Sequence, residues 1–200
     1  MNFEPILYAL SGFFMKLSDD AYDREKNIGL AIVAGVLCGS FIGYLAVTSA
    51  DAACIFIAIL IGTVLSLKVD SLNHIAALIL FVLIVIYIGI PSIGLITLLI
   101  CSFAAFLDEI GNDNSLIKNK RVKSFFEYRF TLKIAVLSFA LLGLFQSTYP
   151  VLKIPGVQYF LLPTFVYFIL FDLFYELAGL KFNTIYDGLN SIFRVFRKID

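Results

Sequence analysis

The stretch Ile28–Ala50, IGLAIVAGVLCGSFIGYLAVTSA, decides the fold class. It carries no charged side chain between Lys26 and Asp51, and it is long enough to cross a hydrocarbon core of about 30 Å as one helix. A second uncharged run, 52–67, follows at once. The next, Ile75–Leu107, is too long for one span, and Pro91 divides it into 75–90 and 92–107, each about 24 Å at the helical rise. A fifth span reads over 130–148, with Arg129–Lys133 at its polar end, and a sixth over 156–179.

Two flanking segments complete the pattern. Residues 5–17 are apolar but short, and read as an interfacial or re-entrant helix or a short extra span. Over 182–199, Phe182, Ile185, Tyr186, Leu189, Ile192, Phe193, Phe196 and Ile199 recur at helical spacing. Asp187, Asn190, Ser191, Arg194, Arg197 and Lys198 take the other face. That is an amphipathic helix suited to a membrane surface. The expectation is an all-α, polytopic transmembrane bundle of about six spans in one domain, 1–200.

Composition agrees. The chain is 60% hydrophobic and 15% charged with a mean hydropathy of +0.95, against roughly 45–50% apolar and about 25% charged in soluble domains. Apolar surface in that excess must face membrane lipid. A net charge of zero argues against a nucleic-acid partner. The N-terminus lacks the charged start, apolar core and small-residue cleavage site of a secretory signal, so the first segment is expected to be retained.

Threading six spans sorts the charges. Lys16, Arg24, Lys26, Lys68, Lys118, Lys120, Arg121, Lys123, Arg129, Lys133, Lys181, Arg194, Arg197 and Lys198 fall on one side, leaving Lys153 on the other. The excess of basic residues makes that side cytoplasmic in a cell membrane, with the charged loops and the C-terminus inside. Gly35, Gly39 and Gly43, spaced by four in the first span, let another helix backbone approach closely. That contact is either packing within the bundle or a helix–helix dimer. Cys38, Cys54 and Cys101 sit in apolar runs without metal-type spacing and read as small buried hydrophobes. Gln146 and Gln158 fall near the opposite side with no role assigned.

Most carboxylates fall on the basic side as well. Asp19, Asp20 and Asp23 form the string Asp-Asp-Ala-Tyr-Asp before the first span, and Asp108, Glu109 and Asp113 follow the fourth. On a helix, Asp19 and Asp23 share a face. Mg²⁺ prefers oxygen ligands and is commonly shared between carboxylates and substrate phosphates, so these six are the candidate metal ligands. Lys118, Lys120, Arg121 and Lys123 are the candidate phosphate contacts.

The first string fits D-D-x-x-D and resembles the aspartate-rich motif of enzymes that bind prenyl diphosphates, among them the UbiA-type membrane prenyltransferases. The resemblance covers five residues and implies magnesium ions that in turn hold a diphosphate. The chain departs from that family in having fewer spans and Ser18 where an asparagine is usual.

Asp172 and Glu176 lie four apart at the end of an otherwise uncharged run. A carboxylate inside a bilayer is costly, so Asp172 should face a polar cavity or pair with Arg129 or Lys133. Asp70 and His74 are also four apart, and a carboxylate beside an imidazole raises its pKa into a range useful for proton transfer. Asp70, His74, Asp172 and Glu176 are therefore the candidate catalytic groups. Three functions fit these features. One is a membrane enzyme acting on a phosphorylated or prenyl-diphosphate lipid with Mg²⁺ at the cytoplasmic interface. The second is a cation or small-solute transporter lined by Asp172 and Glu176. The third is a non-catalytic scaffold whose acids merely balance its bases.

Overall fold

The computed structural model describes residues 3–69, 71–149 and 153–196, with side chains to residue 189. Asp70 therefore lies outside the described residues, as does Ile199. The described residues form nine helices and no strand: α1 (Glu4–Asp23), α2 (Ile28–Thr48), α3 (Ala50–Leu65), α4 (Leu72–Ile88), α5 (Leu95–Asp113), α6 (Lys120–Glu127), α7 (Phe130–Thr148), α8 (Leu162–Leu180) and α9 (Phe182–Phe196).

Four helices, α2, α5, α7 and α8, are long and apolar enough to cross a membrane by themselves, fewer than the six expected. The shortfall is one of length. With 16 and 17 residues, α3 and α4 are apolar but reach only about 24 and 26 Å. Conversely, α1 is longer than the 5–17 expected. Its 20 residues reach about 30 Å and carry the acidic string on their last turns.

The boundaries have local causes. Ser49 ends α2 in an extended conformation, and its hydroxyl accepts from Ala52 N–H at 3.4 Å to start α3. Pro91 and Gly89, the latter at φ +87°, keep residues 89–94 out of helix, so α4 and α5 divide where expected. The sixth span starts at Leu162 rather than 156. Pro163 sits in its first turn, and the residues before it spend their backbone groups on side chains: Gln158 N–H donates to Thr97 Oγ1 (2.9 Å) and Leu161 N–H to Asp51 (2.8 Å). The short helix α6 over the basic segment was not anticipated; Asn119 caps it by accepting from Arg121 N–H at 3.0 Å.

Six helices close a ring in the order α1, α2, α3, α5, α7, α8 and back to α1, with α4 laid outside along α2. The middle of the ring is filled by Tyr8, Ile55, Phe56, Val136, Phe139, Phe168 and Phe171. The glycines of α2 are why α4 lies so close: a Cβ on Gly35 would sit 2.8 Å from the Asn73 carbonyl oxygen, and one on Gly39 only 2.6 Å from that of Ala77. Because α4 already occupies the stripe, a dimer through Gly35, Gly39 and Gly43 has no open face. At the charged end, Phe182, Ile185, Tyr186 and Leu189 of α9 pack against Leu17, Ala21, Ala31 and Ala34.

Candidate functional site

Below the aromatic core, at the charged end of the ring, a polar chamber of about 400 Å³ opens between α1, α3, α5 and α8 and the segments that join them. The end of α1 contributes Lys16 and Asp19, and the turn before α4 contributes Lys68. The first turn of α4 adds His74, α5 adds Asp108 and Glu109, the α6–α7 junction Glu127 and Arg129, and α8 Asp172, Tyr175 and Glu176. Residues as distant in sequence as Lys16 and Glu176 thus share one cavity.

His74 is its best-defined group. Its Nε2 lies 2.8 Å from Asp19 Oδ1, and its Nδ1 lies 3.1 Å from the Lys68 carbonyl oxygen. Both ring nitrogens therefore face oxygen acceptors. The Tyr175 hydroxyl reaches the other Asp19 oxygen at 3.4 Å.

The cations are held by strained turns. Leu67 (φ 59°) and Arg129 (φ 52°) lie in the left-handed region that non-glycine residues rarely enter, and they deliver Lys68 and Arg129 to the chamber. Lys68 Nζ bridges Glu109 (2.7 Å) and Asp113 (3.1 Å). Burial alone would lower the Lys68 pKa, but these two carboxylates outweigh it and raise it. The Arg129 guanidinium lies over the Tyr175 ring, 5.0 Å from its centroid, with Nη2 3.8 Å from Glu109 Oε1. Its Nη1 is buried with no hydrogen-bond partner among the described residues. Burial opposes its charge as well, yet Tyr175, Glu109, Asp172 and Asp19 together raise its pKa above the ordinary arginine value.

The acidic string does not act as one cluster. Asp19 faces the chamber, whereas Asp20 is pinned by Lys16 and Arg24 at 3.2 Å each. Asp23 lies exposed beside a cavity of about 290 Å³ that also involves Asp19, Tyr22, Lys68, Ser71, Asn73 and His74. Among the second group, Asp108 is buried with its carboxylate accepting from Thr131 N–H (3.1 Å) and Leu132 N–H (2.8 Å), which makes it the cap of α7. Glu109 and Asp113 are tied to Lys68. Among the described residues no three His, Cys, Asp or Glu side chains gather as a metal cluster.

Asp172 is buried and paired with Lys133, one of the two partners anticipated for it, and it also lines the chamber. Glu176 stands one turn further along. The basic run behaves differently from expectation: Lys118, Lys120, Arg121 and Lys123 are exposed and none lines the chamber. The cations that do are Lys16, Lys68 and Arg129, which were legible only as flanking charges. Tyr175 was missed outright, although Asp172, Tyr175 and Glu176 at i, i+3 and i+4 mark one polar face on α8.

A second cavity, of about 130 Å³, adjoins the first at Met15, Asp19, Ile59, Thr63 and His74. It climbs between α1, α2, α3 and α4 along apolar walls that include Cys38, Ile42, Phe56, Leu60, Leu78 and Phe81. No extended contact joins α4 to α3.

No protein-family model, curated protein or solved structure matches this chain. The functional reading thus rests on these residues alone.

At the opposite end lies the polar cluster that Gln158 organises. Asp51 accepts from Gln158 Nε2 (2.8 Å), Leu161 N–H (2.8 Å) and the Thr164 hydroxyl (2.9 Å), while Gln158 Oε1 accepts from Gly94 N–H (3.1 Å). These bonds tie the two non-helical segments to the head of α3. Gln158, given no role from sequence, is a structural tie, and the aromatic core separates it from the chamber.

Proposed function

We propose that the chain is an integral membrane enzyme acting on a phosphorylated lipid at the cytoplasmic interface. Helices α2, α3, α4, α5, α7 and α8 cross the bilayer in this arrangement, with α1 beside them. The charged end is cytoplasmic by its excess of lysine and arginine. The observation that carries the proposal is the junction at Asp19 and His74, where a chamber rich in charge adjoins an apolar cleft. A soluble ligand needs only the first, and a lipid with a polar head needs both.

In this arrangement the lipid chain enters between α3 and α4, and its headgroup lies among Lys16, Lys68 and Arg129. The His74–Asp19 pair supplies or accepts the proton. Its backbone bond to Lys68 fixes the ring, as a general acid–base requires. Glu176 is the further carboxylate on the chamber wall, since Asp172 is engaged by Lys133. Asp19 and Asp23, which border one cavity, would hold a magnesium ion brought with a phosphate substrate, and the ion would offset the phosphate charge. Transport is the weaker account, because among the described residues the core between the two ends is dominated by packed aromatic side chains, Tyr8, Phe56, Phe168 and Phe171.

The test uses the protein in nanodiscs, supplied with polyprenyl phosphates, prenyl diphosphates or phosphatidic acid, with and without Mg²⁺. Phosphate or pyrophosphate release and new lipid products are followed together with thermal stability. Ligand-dependent stabilisation with turnover, both lost in Asp19→Asn and His74→Gln, is expected. Neither effect with any of these lipids would sink the proposal.

A further inference from the structure

We infer that Arg129 is the anchor for a phosphate oxyanion inside the chamber, a role that falls to none of the exposed basic residues 118–123. The inference rests on the chamber being a headgroup site. Its own support is the state of the Arg129 side chain.

A buried guanidinium normally spends its donors, because an unmet charged donor costs more than a neutral one. Here Nη1 is buried without a partner among the described residues, and Nη2 stands 3.8 Å from Glu109, beyond hydrogen-bond range. The group is nevertheless fixed. Its backbone is held left-handed at φ 52° at the head of α7, its Cζ lies over the Tyr175 ring, and Glu109 attracts it from one side. A charged guanidinium that lines the chamber and keeps one donor unspent is suited to recognition of phosphate. Lys68 supplies a second cation to the same space, but Glu109 and Asp113 already hold its ammonium. Glu109 is therefore the internal competitor: it draws on both cations, and an arriving phosphate has to displace it.

That competition gives two variants with opposite signs. Arg129→Gln removes the anchor, while Glu109→Gln removes the competitor and leaves both cations in place. The probes are inorganic phosphate and dihexanoyl phosphatidic acid, titrated by phosphorus NMR and calorimetry into protein purified in a maltoside detergent. Arg129→Gln should weaken binding about tenfold or more, the scale of a charge-assisted bond lost from a buried site. Glu109→Gln should tighten it several-fold, and a gain cannot come from misfolding. Binding of phosphatidic acid alone, with that pattern, assigns the site to a lipid phosphate. Binding of inorganic phosphate alone keeps the anchor and removes the lipid from the proposed function. Equal affinity in wild type and Arg129→Gln, no gain in Glu109→Gln, or no binding of either probe overturns the anchor. Lipid turnover undiminished in Arg129→Gln would do so too, while leaving the enzyme standing.

Discussion

Asp108 is the candidate residue whose two roles predict opposite behaviour, so its removal is the most informative single perturbation. As the cap of α7 it accepts two backbone N–H groups, from Thr131 and Leu132, at 3.1 and 2.8 Å, and it is about 1% exposed. Hydrogen bonds to a charged acceptor contribute roughly 1.5–3 kcal/mol each. Asp108→Ala forfeits two of them and strands the donors in the first turn of α7. Relief from burying a carboxylate offsets part of this loss, leaving a net destabilisation of about 2–4 kcal/mol. Asp108→Asn keeps one good acceptor oxygen and turns its amide toward the other donor, so it should lose roughly half as much.

Graded unfolding in mixed detergent–SDS micelles, followed by circular dichroism, measures the difference. Mg²⁺ plays no part in the cap, so the loss should be the same with and without the ion. If Asp108→Ala unfolds within about 0.5 kcal/mol of wild type, the scatter of ordinary surface changes, the capping argument fails. If Mg²⁺-dependent stabilisation alone disappears, Asp108 is a metal ligand after all.

Two further perturbations test the packing that positions the site. Gly39→Ala puts a methyl 2.6 Å from the Ala77 carbonyl oxygen. It should therefore cost about 1–3 kcal/mol and shift α4, lowering any activity that depends on His74, whereas Gly29→Ala, with its nearest neighbour at 3.7 Å, should be neutral or slightly stabilising. Lys133→Met leaves Asp172 buried without its partner and should cost about 3–5 kcal/mol; adding Asp172→Leu should recover most of it, and a double-mutant cycle that is additive would show the pair to be uncoupled.

Much of this molecule could be read from charge-free runs. The interval from Lys26 to Asp51 fixed α2, Pro91 divided α4 from α5, and the expectation of a single charged end grouped Asp19, His74, Glu109 and Asp172, which share one chamber. These are one-dimensional facts, set by solvation of single segments. What the sequence hid is pairwise. Nothing in Asp-Asp-Ala-Tyr-Asp says that Asp19 turns inward to His74 while Asp20 turns to Lys16 and Arg24, because adjacent helical residues diverge by about 100° and either could face the bundle. Asp108 resembled a metal ligand because its partners are backbone N–H groups, which every sequence possesses and none advertises. Arg129 looked like an ordinary flanking charge, and its left-handed backbone has no signature in a residue that usually avoids that region.

The charge content of the chamber bears on whether it is only structural. Nine side chains that line it are charged, out of the chain's 15 basic and 15 acidic residues. Ion pairs withdrawn from water at best break even with well-packed apolar groups, and the left-handed turns at Leu67 and Arg129 cost on the order of 1–3 kcal/mol each. A bundle needing only stability would do as well with leucine and phenylalanine at these positions, as it does a few turns away at Phe56 and Phe171. The internal pairs also leave the chamber unevenly satisfied. Asp19, Asp108, Glu109 and Asp172 each have a partner supplied by the chain, whereas Arg129 keeps a buried donor unspent. Arg129, with a donor still unspent, is thus the cation on which the proposed phosphate contact rests, and the apolar cleft beside the chamber is the reason the proposal names a lipid.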